Sequence, residues 1–466
     1  MARYPASRLL LSTALPLFNL FLYAWLCATL VISRDQWRLL PMLQDCTNGQ
    51  FHMVSLWLTH SQHRIPAYKL LFLLDGLFLK LNMRVEIIVG CLALAVTVLF
   101  LMKRFVDTTQ ASQRELWMGA AALALLGLSL NQWNSLVYGL GALNGLGRIA
   151  SFIGFWLVLD AKLRERVTAR GALGLCVPLA FVLLCWAGGH GPAYLIATAT
   201  TLAIALWRAP STEREGLQLL ALLAVTALVA EAVYWLAGPL PPVHGSIGSV
   251  LHFALHAPLR VIEYGLLALA SSAMPIEGME HHGWPRLLSL LAGTGIGALY
   301  LAALLAFFHG RLWKRSWLPG FLMGYSLLLV VSIFAARIGS EGMASATAPR
   351  YVLDTQLGLL GCCWSLFLWR MARPIQARTW AERLTAVPLL FAVVLLLELG
   401  DAGMLWAHAG EQRRMAAEAA EQVKAGDFET PDWLCPDEVL CKAGTDYMRQ
   451  QRLNIFHDQP DEPATP

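Results

Sequence analysis

Residues 85–102 read Val-Glu-Ile-Ile-Val-Gly-Cys-Leu-Ala-Leu-Ala-Val-Thr-Val-Leu-Phe-Leu-Met and run directly into Lys103-Arg104. One charge in so long an apolar run, closed by a basic pair, marks a helix that crosses a bilayer, for which ~20 apolar residues are needed. Comparable runs recur, and the pattern places eleven helices at 9–32, 85–102, 117–131, 139–160, 171–188, 191–207, 217–237, 286–308, 318–336, 351–369 and 385–407. Unsatisfied backbone groups are costly in lipid, and no alternating barrel pattern is present, so the spans are expected to be helices. Of 466 residues, 57% are hydrophobic and 14% charged, against roughly 25% charged in soluble domains. The expected class is an all-α polytopic membrane protein of about 11 transmembrane helices with outward interfacial helices.

Basic residues orient the chain. Arg3/Arg8, Lys103/Arg104/Arg114, Lys162/Arg164/Arg166/Arg170, Arg208/Arg214, Arg311/Lys314/Arg315 and Arg370/Arg373/Arg378/Arg383 all fall on one side of an alternating path. The positive-inside rule makes that side cytoplasmic. The N-terminus is then inside, while loops 33–84, 238–285 and 337–350 and the tail 408–466 face outward. A transmembrane domain is expected over 1–407 and a small periplasmic helical tail over 408–466. The net charge of +4 follows from this bias and gives no reason to invoke nucleic acid. The first helix lacks a small-residue cleavage site and reads as a retained anchor.

Two outward segments are apolar without reading as single spans. Residues 67–81 are short and carry Asp75 centrally; 246–272 include His252, His256, Arg260 and Glu263. Both are expected to lie along or dip into the outer interface, with two short crossings as the alternative for the second. Six of the nine cysteines fall in helices, where cysteine is a small apolar residue. Cys435 and Cys441 flank Pro-Asp-Glu-Val-Leu in the outward tail and suit a disulfide in an oxidising compartment.

The polar chemistry concentrates in the first loop. His60, His63 and Arg64 share a face if helical, so Arg64 can grip a phosphate while a histidine handles a proton; anchoring to headgroups is the plainer reading. Asp45 is either a general base or a turn residue. Asp75, set among leucines, is expected to pair with Lys69 or Arg64. Trp133 and Asn134 occupy a tight outward turn, where Trp is commonly an interfacial anchor. Arg148, inside a span, either snorkels or pairs within the bundle. Arg337, Glu341, Arg350 and Tyr351 bracket another outward loop, where two arginines suit a phosphate or diphosphate. Arg260 and Glu263 are i,i+3 neighbours that can simply pair. Glu277, Glu280, His281 and His282 have a metal-like composition, but adjacent histidines diverge on regular structure, and no metal site is assigned. No phosphate loop, kinase signature or dinucleotide fingerprint is present, and no cofactor is implied.

This layout resembles membrane glycosyltransferases of the GT-C class: a helix, an outward loop with an acidic residue and interfacial helices, then a many-helix bundle. Thr59-His60-Ser61-Gln62-His63-Arg64-Ile65-Pro66, Asn131-Gln132-Trp133-Asn134, Pro349-Arg350-Tyr351, Gly426-Asp427-Phe428 and Arg452-Leu453-Asn454-Ile455-Phe456 are similar to blocks of a group of uncharacterised bacterial multi-spanning proteins. Gln62 and Asn134 stand where that group carries acids, and the loop has no Asp-x-Asp pair. The GT-C resemblance implies an inverting transferase of the bacterial inner membrane, acting on its periplasmic face. A polyprenyl-phosphate sugar would be the donor and an envelope glycan or glycolipid the acceptor. Asp45, His60 or His63 would serve proton transfer; Arg64, Asp75, Trp133, Asn134, Arg260, Arg337, Arg350 and Tyr351 would bind substrate. The alternatives are a lipid or glycan transporter or flippase, and a membrane scaffold of an envelope-polysaccharide system.

Overall fold

A computed structural model describes residues 6–61, 63–109, 111–164, 169–208, 214–238, 247–276, 279, 283–372, 380–428 and 433–457. Its described elements are helical: α1 (Ala6–Cys27), α2 (Leu40–Thr47), α3 (Pro66–Leu74), α4 (Met83–Thr108), α5 (Gln113–Gly127), α6 (Gly147–Lys162), α7 (Ala169–Phe181) and α8 (Gly191–Trp207). There follow α9 (Arg214–Leu236), α10 (Ile247–His256), α11 (Pro258–Ser271), α12 (Arg286–His309), α13 (Leu318–Arg337), α14 (Val352–Ala372), α15 (Trp380–Ala425) and α16 (Glu438–Gln450). The protein is therefore an α-helical polytopic membrane protein.

The expected count of eleven spans does not stand. Among the described residues six helices are long and apolar enough to cross a membrane: Met83–Thr108, Gly141–Lys162, Arg286–His309, Leu318–Arg337, Gly342–Met371 and Ala392–Ala425. A seventh arises only if Val250–His256 and Pro258–Ser271, bent by 107°, form one broken span. The physical reason is length. The helix α5 stops at Gly127, before a tight turn in which Ser129 Oγ accepts from the Asn131 amide; its 15 residues extend only about 22 Å at 1.5 Å per residue. Among the described residues, the apolar stretches Leu11–Cys27, Gly171–Trp186 and Ala221–Leu236 also fall below spanning length, although α1 and α9 extend further, to Ala6 and Arg214.

An aromatic ladder locks the centre of the bundle. Phe152 stacks on Tyr194 and Trp156 on Phe321, each with centroids 4.0 Å apart. Tyr325 then meets Phe152, Tyr194 and Phe321. This fixes α6, α8 and α13 against one another, since buried aromatic pairs add ~0.5–1.5 kcal/mol beyond area burial. At Gly90 of α4 a Cβ would meet the Ala142 carbonyl oxygen at 2.4 Å, so that backbone approach requires glycine.

A second apolar core lies outside the bundle. Trp37, Leu40, Leu43, Tyr68 and Phe72 of the first loop pack with Val423, Phe428, Cys441, Met448 and Phe456 of the tail. Leu434 C=O accepts from Trp37 Nε1 at 2.8 Å and from the Arg34 amide at 3.0 Å. Asn454 Nδ2 donates to the carbonyls of Leu30 (3.0 Å) and Leu81 (2.7 Å). Cys435 and Cys441 are disulfide-bonded within this head. The tail begins inside a helix: α15 runs 46 residues without a break, about 69 Å, passing residue 408 where the sequence divides bundle from tail.

Candidate functional site

A concentrated cluster of buried polar groups forms where α6, α13 and α14 converge with the turn before α8. Arg148 Nη2 donates to Asp354 Oδ2 at 2.6 Å, and the Tyr325 hydroxyl donates to Asp354 Oδ1, also at 2.6 Å. Asp354 is wholly buried and Arg148 nearly so, so the pair is desolvated and depends on this geometry. The His190 ring nitrogens lie 2.7 and 2.8 Å from Arg148 Nη1. Burial first, then the Arg148 charge, pushes its imidazole well below the ordinary range, so His190 is neutral at pH 7 and accepts from the guanidinium.

His63 reaches this cluster from the first loop. A Cβ at Gly189 would meet its Cε1 at 2.4 Å, so the tip of the imidazole occupies the space beside this glycine. The preceding Gly188 takes φ +50°, a left-handed conformation that also favours glycine. The loop is held by a two-residue bridge, in which the His60 and His63 amides and carbonyls exchange hydrogen bonds of 2.7 and 3.0 Å. His63 and His190 are both half-buried, the His190 side chain 18% exposed.

On the other flank, the His190 and Tyr351 rings have centroids 6.3 Å apart. The Arg350 guanidinium lies 4.9 Å over Tyr351 and pairs with Glu341; Arg337 Nη1 is 3.4 Å from the same carboxylate. Three guanidiniums (Arg148, Arg337, Arg350) thus face two carboxylates (Glu341, Asp354), leaving one excess positive charge. Arg148 Nε and both amide atoms of Gln356 are buried here without a hydrogen-bond partner, as are both amide atoms of Gln132 and Asn144 Oδ1 in the segments that precede α6. Buried polar groups are nearly always paired, so the unpartnered Gln356 amide and Arg148 Nε stand out beside the Asp354 pair.

Other expected site residues lie elsewhere. Arg64 is 1% exposed, and its guanidinium donates to the carbonyls of Trp57 (2.8 Å), Tyr234 (2.9 Å) and Gly238 (2.7 Å). It ties the first loop to the end of α9. The expected Asp75 ion pair is not formed: Lys69 Nζ donates to the Ser55 and Leu58 carbonyls, and Asp75 Oδ1 accepts only the Asn82 amide, at 3.2 Å. Helix starts and loop carbonyls lay nearer to both cations than the carboxylate did. Burial raises Asp75 to about 6 and lowers Lys69 to about 8. The His60 ring is buried under the loop, and that burial lowers it to about 4. Asp45 is exposed on α2 and Arg260 exposed on α11. Glu263 pairs with Arg286 at 2.8 Å instead of Arg260. Asn134 is half-buried in the one-turn helix Trp133–Val137. Gln62, Glu277, Glu280, His281 and His282 lie outside the described residues.

Sequence reasoning missed His190 and Tyr325. His190 carried a signal, as an imidazole in Gly188-Gly189-His190-Gly191 between two apolar runs. Tyr325 carried none, being one aromatic in an oily helix. Trp133 lines a separate cavity of about 250 Å³, together with Tyr23, Asn131, Pro349 and a face of α15. No protein-family model, curated protein or solved structure matches this chain.

Proposed function

We propose that the protein is a glycosyltransferase that takes a sugar from a polyprenyl-phosphate donor on the outer face of a bacterial inner membrane. In this reading the N-terminus is cytoplasmic, the head periplasmic, and the acceptor an envelope glycan or glycolipid. The observation that carries it is the half-exposed His63, backed by neutral His190 and flanked by the Arg337–Glu341–Arg350 ridge with its excess positive charge. His63 takes the acceptor hydroxyl proton as that oxygen attacks the anomeric carbon. The bond from that carbon to the phosphate oxygen breaks on the opposite side, which inverts the centre. The charge left on the lipid phosphate is received by Arg337 and Arg350, as bidentate guanidiniums suit phosphate. The Arg148–Asp354–Tyr325 cluster positions His190, and through it the turn against which His63 rests.

The test is turnover of a short-chain polyprenyl-phosphate sugar by the full chain in nanodiscs, with release of polyprenyl phosphate as readout. Loss of a general base typically costs ~10²–10⁴ in rate. His63→Ala should slow transfer by that order while leaving donor affinity intact, and Arg350→Ala should weaken donor binding. Neither binding nor turnover of any such donor by the wild-type chain would end this reading. A lipid or glycan transporter is the second reading. It is favoured by Glu398 and Asp401, both buried in α15 with a carboxylate oxygen lacking a partner, since intramembrane acids mark ion or proton paths.

A further inference from the structure

The cavity beside Trp133 holds chemistry that the phosphate ridge does not use. Leu405, His408, Gln412 and Met415 line one wall, and their three- to four-residue spacing makes it a single face of α15. Trp133 contributes a half-buried aromatic surface, and Asn131 and Glu411 add polar groups. Tyr23 is fully buried at this wall, and its hydroxyl has no oxygen or nitrogen partner among the described residues. Among the described residues its lining contains no Lys or Arg.

This composition selects among ligand classes. A phosphate would meet Glu411 and no cation. A lipid tail would strip water from a carboxylate, an imidazole and two amides and give nothing back. A sugar ring satisfies both halves of the lining, because its C–H face stacks on an indole while its hydroxyls pair with amide, phenol and carboxylate. The volume, below the ~300–1,000 Å³ of drug-sized pockets, suits one ring. The turn Pro349–Tyr351 separates this cavity from the cationic ridge: Pro349 lines the cavity, Arg350 joins Glu341, and Tyr351 faces His190.

We propose that this cavity binds one uncharged sugar ring of the acceptor, with Trp133 as the stacking platform and Tyr23, Asn131 and Gln412 as hydrogen-bonding partners. Its role as acceptor site rests on the transferase reading; its affinity for a sugar does not.

The experiment is saturation-transfer difference NMR on the full chain in nanodiscs. Methyl glycosides of glucose, galactose, mannose and N-acetylglucosamine serve as probes, with inorganic phosphate and farnesol measured separately. Ring protons of at least one glycoside should saturate on the wild-type chain. Trp133→Ala and Gln412→Ala should each weaken that binding about tenfold, equivalent to ~1.4 kcal/mol. Met415→Trp should abolish it by filling the cavity, with the thermal transition retained. Arg350→Ala should leave glycoside binding unchanged, and its effect on donor binding reports on the transferase reading alone. The sugar site is overturned if no glycoside binds, if binding is equal in all variants, or if farnesol displaces the glycoside.

Discussion

Arg148 and Asp354 stand 206 positions apart in the chain and meet at 2.6 Å, Nη2 to Oδ2, inside the bundle. Each would be an expensive isolated charge in an apolar interior, and together they join α6 to α14. Removing one partner of a buried pair typically costs ~3–5 kcal/mol, whereas replacing both with apolar residues of similar volume is often neutral. Asp354→Leu alone should therefore sharply lower the melting temperature in detergent, and Arg148→Met with Asp354→Leu should recover most of it. The double variant should remain inactive, because His190 loses its donor. Restored activity in the double variant would show that the pair is structural only.

A second buried knot sits at the far end of α6. Asp160 accepts from Arg104 Nε at 2.7 Å, Ser316 Oγ at 2.9 Å and the Trp317 amide at 2.6 Å. Asp160→Ala should cost ~3–5 kcal/mol by leaving Arg104 buried and unpaired. Arg104→Lys should rescue little, because an ammonium cannot reproduce the two-nitrogen contact. Thermal unfolding reads the first effect. Ligand binding at the Arg148–His190 site should not change, and a change there would couple the two ends.

Asp75 predicts a pH dependence whose sign can be worked out. Its folded value of about 6 exceeds the ordinary aspartate value of 3.8, so the folded state holds the proton more tightly. The carboxyl carries no penalty below pH ~4; the penalty grows as pH rises to ~6 and is constant above, reaching about 3 kcal/mol at 1.36 kcal/mol per unit. Asp75→Asn should thus match wild type at pH 4 and exceed its stability at pH 7. His60, lowered from 6.5 to about 4, works oppositely: its contribution is complete above pH ~6.5 and is lost as pH falls toward ~4. The difference between wild-type and Asp75→Asn melting curves isolates the aspartate. A pH-independent difference would exclude its titration.

Arg64 distinguishes a tether from a phosphate ligand. Its guanidinium spans three carbonyls from two segments, which a lysine cannot do. Arg64→Lys should expose residues 49–66 to limited proteolysis while keeping the positive charge. Intact loop protection together with lost donor binding would instead assign Arg64 to the substrate.

Much of the helical layout was legible because hydropathy is local. Each of the eleven apolar runs overlaps a helix, and Lys103-Arg104 lies near the end of the helix Met83–Thr108. Whether a helix is long enough to cross was less legible, because the ends are set by turns such as Ser129–Gln132 and by the bend at Ala257. Asp75 shows the same limit for side chains. A carboxylate among leucines invites a cation, yet Lys69 and Arg64 found closer carbonyls. The first-loop motif singled out His63 and Arg64 alike; the structure sets His63 beside Gly189 and turns the Arg64 guanidinium to three backbone carbonyls.

The sequence by itself determined that this chain is helical and membrane-embedded, because burial of backbone in lipid leaves few alternatives and apolar length is written residue by residue. Only the tertiary structure decided which charges meet. Arg148 with Asp354, His63 with Gly189 and His190, and the first loop with the tail through Trp37 and Leu434 are contacts between distant segments. Their partners are chosen by how helices pack, and no local pattern along the chain encodes that choice.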